Sequence, residues 1–370
     1  MRTKKPEVLF ARGEKERVAG TFAKALASYR QAAKLYQHTG DRHGLFQCLA
    51  AQGHCLRLLG NFSLARVNYQ KALALAATLG DPADRADAEV GLGMTLRALG
   101  DYRGALRLFA RAGRTYRRGG DLTGEAYVLW ATAGALRIRG TLHDALHTFQ
   151  RARGLFERQE DRSGVGYSLC GMGGASRLMG KYHDSLAYYT EAHRRFTKLR
   201  DTFGRAYAAC GIANANRMLR HSGTALANFA KARRLYADLR DRVSYAYTLW
   251  GEGTLYKVLG QLRRAEKAFA KAEAIFTHTR DRRGQIYTCL GIGEILILQG
   301  KLKQARPLLE KARTEARRHS FRFENLHSQL LLTELHRREG RTVSFAPLRR
   351  RYQALGSSFL AEVTLPLNLP

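Results

Sequence analysis

The 370-residue sequence predicts an all-α solenoid of antiparallel helix pairs, about eight repeats with a cap at each end. Three observations carry that expectation. Aspartate recurs every forty residues, at Asp41, Asp81, Asp121, Asp161, Asp201, Asp241 and Asp281, and no insertion breaks the register. Nineteen residues after each stands a glycine, at Gly60, Gly100, Gly140, Gly180, Gly260 and Gly300, with Arg220 as the exception. Beyond each of these positions runs a small residue, then an aromatic, then alanine, as in Ala105, Phe109 and Ala112. Spacings of four and seven put all three on one helical face, where alanine lets backbones approach and the ring fills the gap.

Residues 1–40 read as a partial leading repeat, its first helix charged through Arg12, Glu14, Lys15, Glu16 and Arg17 as an exposed cap requires. Seven forty-residue repeats follow over 41–320. In each, Asp supplies the N-cap oxygen of the first helix, and the glycine permits the left-handed turn that closes it. Pro82 stands where a first helical residue belongs. The first helix carries its own close-contact column, Gly53, Gly93, Ala133, Gly173, Ala213, Gly253 and Gly293. Residues 321–370 read as a capping helix and a tail that is basic at Arg349, Arg350 and Arg351 and apolar from Phe359 to Pro370. That tail is expected to cover the face of the last helix pair; the alternative is that it is itself a docking peptide.

Composition narrows the partners. Lysine and arginine total 63 against 31 acidic residues, a formal charge of +32, more than solubility requires. An anionic partner is expected: an acidic protein segment, nucleic acid or an anionic surface. Cys48, Cys55, Cys170, Cys210 and Cys289 fall in apolar helical stretches without disulfide or zinc spacing and read as small core residues. The first twenty residues are too charged for a signal peptide, and no apolar run is long enough to cross a membrane. A cytoplasmic location follows as an expectation.

Glycine or alanine, seven residues to glycine, five to alanine, four to an aromatic and three to alanine resembles the tetratricopeptide repeat, over roughly residues 6–339. The period of forty exceeds the usual 34, and the proline near the end of the second helix is replaced by residues such as Arg117, Glu157 and Thr197. This longer form is similar to the subclass found in cell-polarity adaptors and bacterial regulatory repeats. The resemblance implies a right-handed superhelix with the first helices lining a concave groove, and a binding scaffold for an extended peptide.

Columns of that groove wall are then candidate partner-binding residues. One is Tyr127, Tyr167, Tyr207, Tyr247 and Tyr287; a second includes Trp130 and Trp250; a third is Arg57, Arg97, Arg137, Arg177, Arg217 and Lys257, ending at Ile297. Asn214 stands in a fourth, with Gly174, Thr254 and Glu294. Aligned cations repel one another unless an anion or carboxylates neutralise them, and only Asp87 and Glu294 supply acids in these columns. Against this, a basic residue in the last turn of a helix is already favoured by the exposed carbonyls, and the tyrosines could serve as packing. Lys71, Arg111, Arg151, Lys231, Lys271 and Lys311 make the second helices basic too.

Chemistry has no comparable signal. Gly171-x-Gly173 and its equivalents lie mid-helix at packing columns with no strand before them, which rejects dinucleotide binding. His143 and His147 share a helical face but lack a third metal ligand. The expectation is a non-enzymatic scaffold without cofactor or metal, holding an extended acidic protein segment. The alternative is RNA or DNA bound with little sequence preference through paired Arg and Tyr side chains.

Overall fold

The computed structural model describes residues 5–359 and 365–370; residues 360–364, part of the expected apolar tail, lie outside the described residues. Every regular element among the described residues is an α-helix. A leading pair, α1 (Pro6–Val18) and α2 (Phe22–Thr39), precedes the repeats. These are α3 (Arg42–Leu58) with α4 (Phe62–Leu79), α5 (Pro82–Leu99) with α6 (Tyr102–Arg118), α7 (Leu122–Arg139) with α8 (Leu142–Arg158), and α9 (Arg162–Met179) with α10 (Tyr182–Lys198). Next come α11 (Thr202–Met218) with α12 (Ser222–Asp238), α13 (Arg242–Val258) with α14 (Leu262–Thr279), and α15 (Arg282–Leu298) with α16 (Leu302–Arg318). The chain closes with α17 (Arg322–Arg338) and α18 (Ala346–Ala354).

Two compact units divide these helices. One holds the described residues up to Ala131 together with Leu239–Arg242; the other holds Thr132–Asp238 and the described residues from Val243 onward. Within each, helices adjacent in sequence pack in succession, as α3 on α4 and α4 on α5, or α9 on α10 and α10 on α11.

The aspartate column caps as its position predicts. A side-chain oxygen of Asp41, Asp121, Asp161, Asp201 and Asp281 accepts the backbone N–H three residues on, at 2.8 to 2.9 Å, each cap being worth about 1 kcal/mol. That third residue is glycine for a second reason. At Gly44, Gly164 and Gly204 a Cβ would stand 2.3 to 2.5 Å from the ring of Tyr36, Phe156 or Phe196 on the preceding helix. The closing turns are left-handed as expected, and Arg220 adopts φ 63°, which costs a side-chain-bearing residue about 1–2 kcal/mol.

Rings set the spacing between pairs. Tyr69, Tyr189 and Phe269 are buried, and each is pinned between two glycines: Gly53 and Gly91, Gly173 and Gly211, Gly253 and Gly291. The first glycine of each pair belongs to the ring's own repeat and the second to the next. The Gly-x-Gly dipeptides thus receive one ring from each side, which accounts for them without any nucleotide.

At the far end residues 365–370 do not cover the last helix pair, the expected course, but dock elsewhere on the chain. Helix α18 covers α17, with Tyr352 fully buried and its hydroxyl against His327 Nδ1. The chain then leaves that helix pair: the Ser358 N–H and Oγ both donate to the Met179 carbonyl, at 3.2 and 3.0 Å. Residues 365–370 lie against α11, α13 and α15. Among the described residues the 346–354 helix and Phe359, 5.9 Å from His327, cover the last pair, while residues 365–370 do not.

Candidate functional site

All six cations of the ladder occupy the last turn of a first helix. In the first unit Arg57 lies beside the Tyr69 hydroxyl. Arg97 sits over the Trp130 ring, 5.8 Å from its centroid, with Nη1 3.4 Å from the Ala131 carbonyl oxygen. Tyr127, exposed at 38%, stands 5.7 Å from Trp130.

In the second unit the ladder turns inward. Arg137 lies flat across α9, its Nη1 2.3 Å from where a Cβ on Gly174 would be, so glycine in the fourth column is what admits it. Its Nε is buried with no hydrogen-bond partner among the described residues, and so are Nε and Nη1 of Arg177. Leaving a buried donor unmade costs about 1–3 kcal/mol, more on a charged group. Among the described residues these nitrogens are left unsatisfied.

Arg217 and Lys257 are each 1% exposed, and both hold the chain's own tail. Arg217 donates through Nη2 to the Leu369 carbonyl at 2.8 Å and through Nη1 to Asn368 Oδ1, while Asn368 Nδ2 returns a bond to the Arg217 carbonyl at 2.9 Å. Asn214 Oδ1 also accepts from Nη2, at 3.2 Å. One rung along, Lys257 donates to the Leu367 carbonyl at 2.9 Å and to Glu294 Oε2, and Glu294 Oε1 accepts the Leu367 N–H. Leu367 and Leu369 are 4% and 3% exposed. Polar groups of three successive residues are thus met by side chains from α11, α13 and α15.

Charge is distributed unevenly over this seat. Burial pushes the Lys257 ammonium down and the Glu294 carboxyl up, and each partner offsets part of the other's shift. Among the described residues Arg217 has no carboxylate partner. Burial, then the nearby Arg177 charge, push its pKa down to about 9, so it stays cationic at neutral pH while its hydrogen-bond partners are all uncharged. A desolvated cation held only by neutral acceptors is underpaid electrostatically.

The tyrosine column ties repeats together. The Tyr167 hydroxyl donates to Asp201 at 2.9 Å and that of Tyr247 to Asp281 at 3.1 Å, so each reaches the N-cap of the following first helix. Tyr167 packs 4.7 Å from Phe196 and Tyr247 4.8 Å from Phe276. Trp250 and Tyr287, both buried, lie 4.5 Å apart. Tyr207 is half-buried. On the second helices, Arg111 pairs with the buried Glu89, Lys231 contacts His193 and Lys271 the Tyr245 hydroxyl. Among the described residues no three His, Cys, Asp or Glu side chains gather into a metal site, and no helix is long and apolar enough to cross a membrane.

Asn368, Leu367 and Leu369 were not among the candidates drawn from sequence. The signal that could have found them is a single Asn in an apolar, proline-flanked segment, where one polar side chain must have a dedicated partner if it is buried.

Residues 91–119 match the tetratricopeptide repeat family model. No curated protein sequence matches the chain. Among solved structures, a Rap protein complexed with Competence and Sporulation Factor is similar at TM-score 0.63 and 11% identity, covering 94% of this chain and 99% of that one. The Rap conjugation gene regulator of plasmid pLS20 in complex with the Phr* peptide gives 0.65 and 13%, covering 86% and 97%. NprR in complex with its cognate peptide NprX gives 0.59 and 14%, covering 95% and 98%. The helix pairs, their capping register and these matches show a tetratricopeptide-like fold, with residues 91–119 matching the repeat itself.

Proposed function

We propose that the chain is a non-enzymatic scaffold that receives an extended, acid-bearing protein segment on the first-helix wall of its second unit. One observation carries this: Arg217, Lys257 and Glu294 already hold a run of the chain's own peptide through its backbone polar groups. The neighbouring Arg137 and Arg177 then supply buried guanidinium nitrogens that have no partner among the described residues, where a carboxylate would be neutralised. Peptide-bound structures of the Rap regulator and NprR share the fold, which adds support from analogy.

Panning a random dodecamer library against the full chain tests it. Sequences carrying Asp or Glu should be enriched, and the double variant Arg137→Glu, Arg177→Glu should lose that enrichment while keeping its helicity. Equal enrichment in the variant removes these arginines from the argument.

The net charge of +32 supports the alternative, nucleic acid bound through its phosphates. A single-stranded random oligonucleotide titrated at rising salt decides between them: steeply salt-dependent micromolar binding favours nucleic acid, and none at low salt ends that reading.

A further inference from the structure

We infer that residues 365–370 are a resident occupant of the peptide seat, a placeholder that meets the Arg217 guanidinium through neutral oxygens and that an acidic segment must displace. This rests on the scaffold reading above for its meaning, and on the tail's own contacts for its existence.

The contacts are specific to this segment. Asn368 makes a two-way pair with Arg217, donating to its carbonyl and accepting from its guanidinium. The carbonyls of Leu367 and Leu369 take one donor each from Lys257 and Arg217, and the Leu367 N–H has Glu294 as acceptor. The flanking leucines are buried. Ser358, anchored on the Met179 carbonyl at the end of α9, keeps the tail beside the same face, so its local concentration there is high.

What the segment lacks explains why it can be displaced. It offers the Arg217 guanidinium amide and carbonyl oxygens only, and it leaves Arg217 Nε, together with Arg177 Nε and Nη1, unpartnered among the described residues. A ligand that places a carboxylate at the Asn368 position replaces a neutral acceptor by a charged one, roughly doubling the strength of that hydrogen bond. The tail thereby sets a threshold: neutral peptides meet an equal competitor, and acidic ones do not.

The test follows exchange and capture in the full chain, in Asn368→Ala, in Asn368→Asp, and in a chain lacking residues 357–370. Hydrogen exchange read by mass spectrometry should show the Leu367 amide, which donates to Glu294, protected at least tenfold in the unaltered chain. Asn368→Ala should remove that protection and Asn368→Asp should deepen it. A fluorescent Leu-Pro-Leu-Asp-Leu-Pro peptide should bind about tenfold more tightly to Asn368→Ala and to the shortened chain, and more weakly to Asn368→Asp, tenfold being about 1.4 kcal/mol. An unprotected Leu367 amide in the unaltered chain, or protection indifferent to both substitutions, overturns the inference. Should protection follow the expected order while no variant captures the peptide, the acidic-segment reading fails and the resident segment stands.

Discussion

Lys257 on α13 and Glu294 on α15 meet as an ion pair whose members are 1% and 0% exposed. Such a pair adds little over an apolar one, yet removing a single member strands the other in a dry site, at about 3–5 kcal/mol. Lys257→Met should therefore lower the urea midpoint strongly, whereas Lys257→Met combined with Glu294→Leu should recover most of the loss. Equal losses for the single and double variants would show that the carboxylate is not isolated by the change.

Gly171 and Gly154 offer a contrast within one unit. A Cβ at Gly171 would stand 2.2 Å from the Phe149 ring, whereas nothing lies within 4 Å of one at Gly154 in α8. Gly171→Ala should destabilise by about 1–3 kcal/mol through displacement of the ring. The same change at Gly154 should stabilise by roughly 0.5–1 kcal/mol, because glycine is the poorer helix former. Denaturant midpoints of the two variants should move in opposite directions.

His327 is fully buried against Tyr352, with Glu324, Arg283 and Lys257 as its charged neighbours, and burial holds its pKa down to about 4. The unfolded imidazole titrates near 6.5. Between those values the unfolded chain binds the extra proton, so stability rises with pH and is lost on acidification from 6.5 towards 4, at up to about 1.4 kcal/mol per pH unit. Unfolding free energies at pH 7 and 5 should differ less in His327→Gln than in the unaltered chain. An unchanged difference would place the acid sensitivity elsewhere, His54 being the next candidate, since burial pushes it down to about 3.

Much of the fold was legible because it is local and repeated. Asp caps, glycine turns and the alanine and ring columns each solve a problem within one helix pair, and the forty-residue register shows the same solution many times over. Even the Arg220 exception to the glycine column is a place where the backbone keeps the left-handed turn regardless. Relations between columns were not legible. Tyr167 and Asp201 were each visible, but their bond spans two repeats and had no signature of its own. Lys257 and Glu294 sit in different columns, 37 residues apart, and so appeared separately as a groove cation and a scarce groove acid. Least legible was the tail, which occurs once and so has no sister copy to align. Its place depends on a turn back from α18 that no periodicity encodes.

The ribosome makes Arg217, Lys257 and Glu294 before it makes Asn368, and that order has a consequence for assembly. On the proposed reading, a partner present during synthesis would meet the seat before its resident segment, and a later one would have to displace that segment.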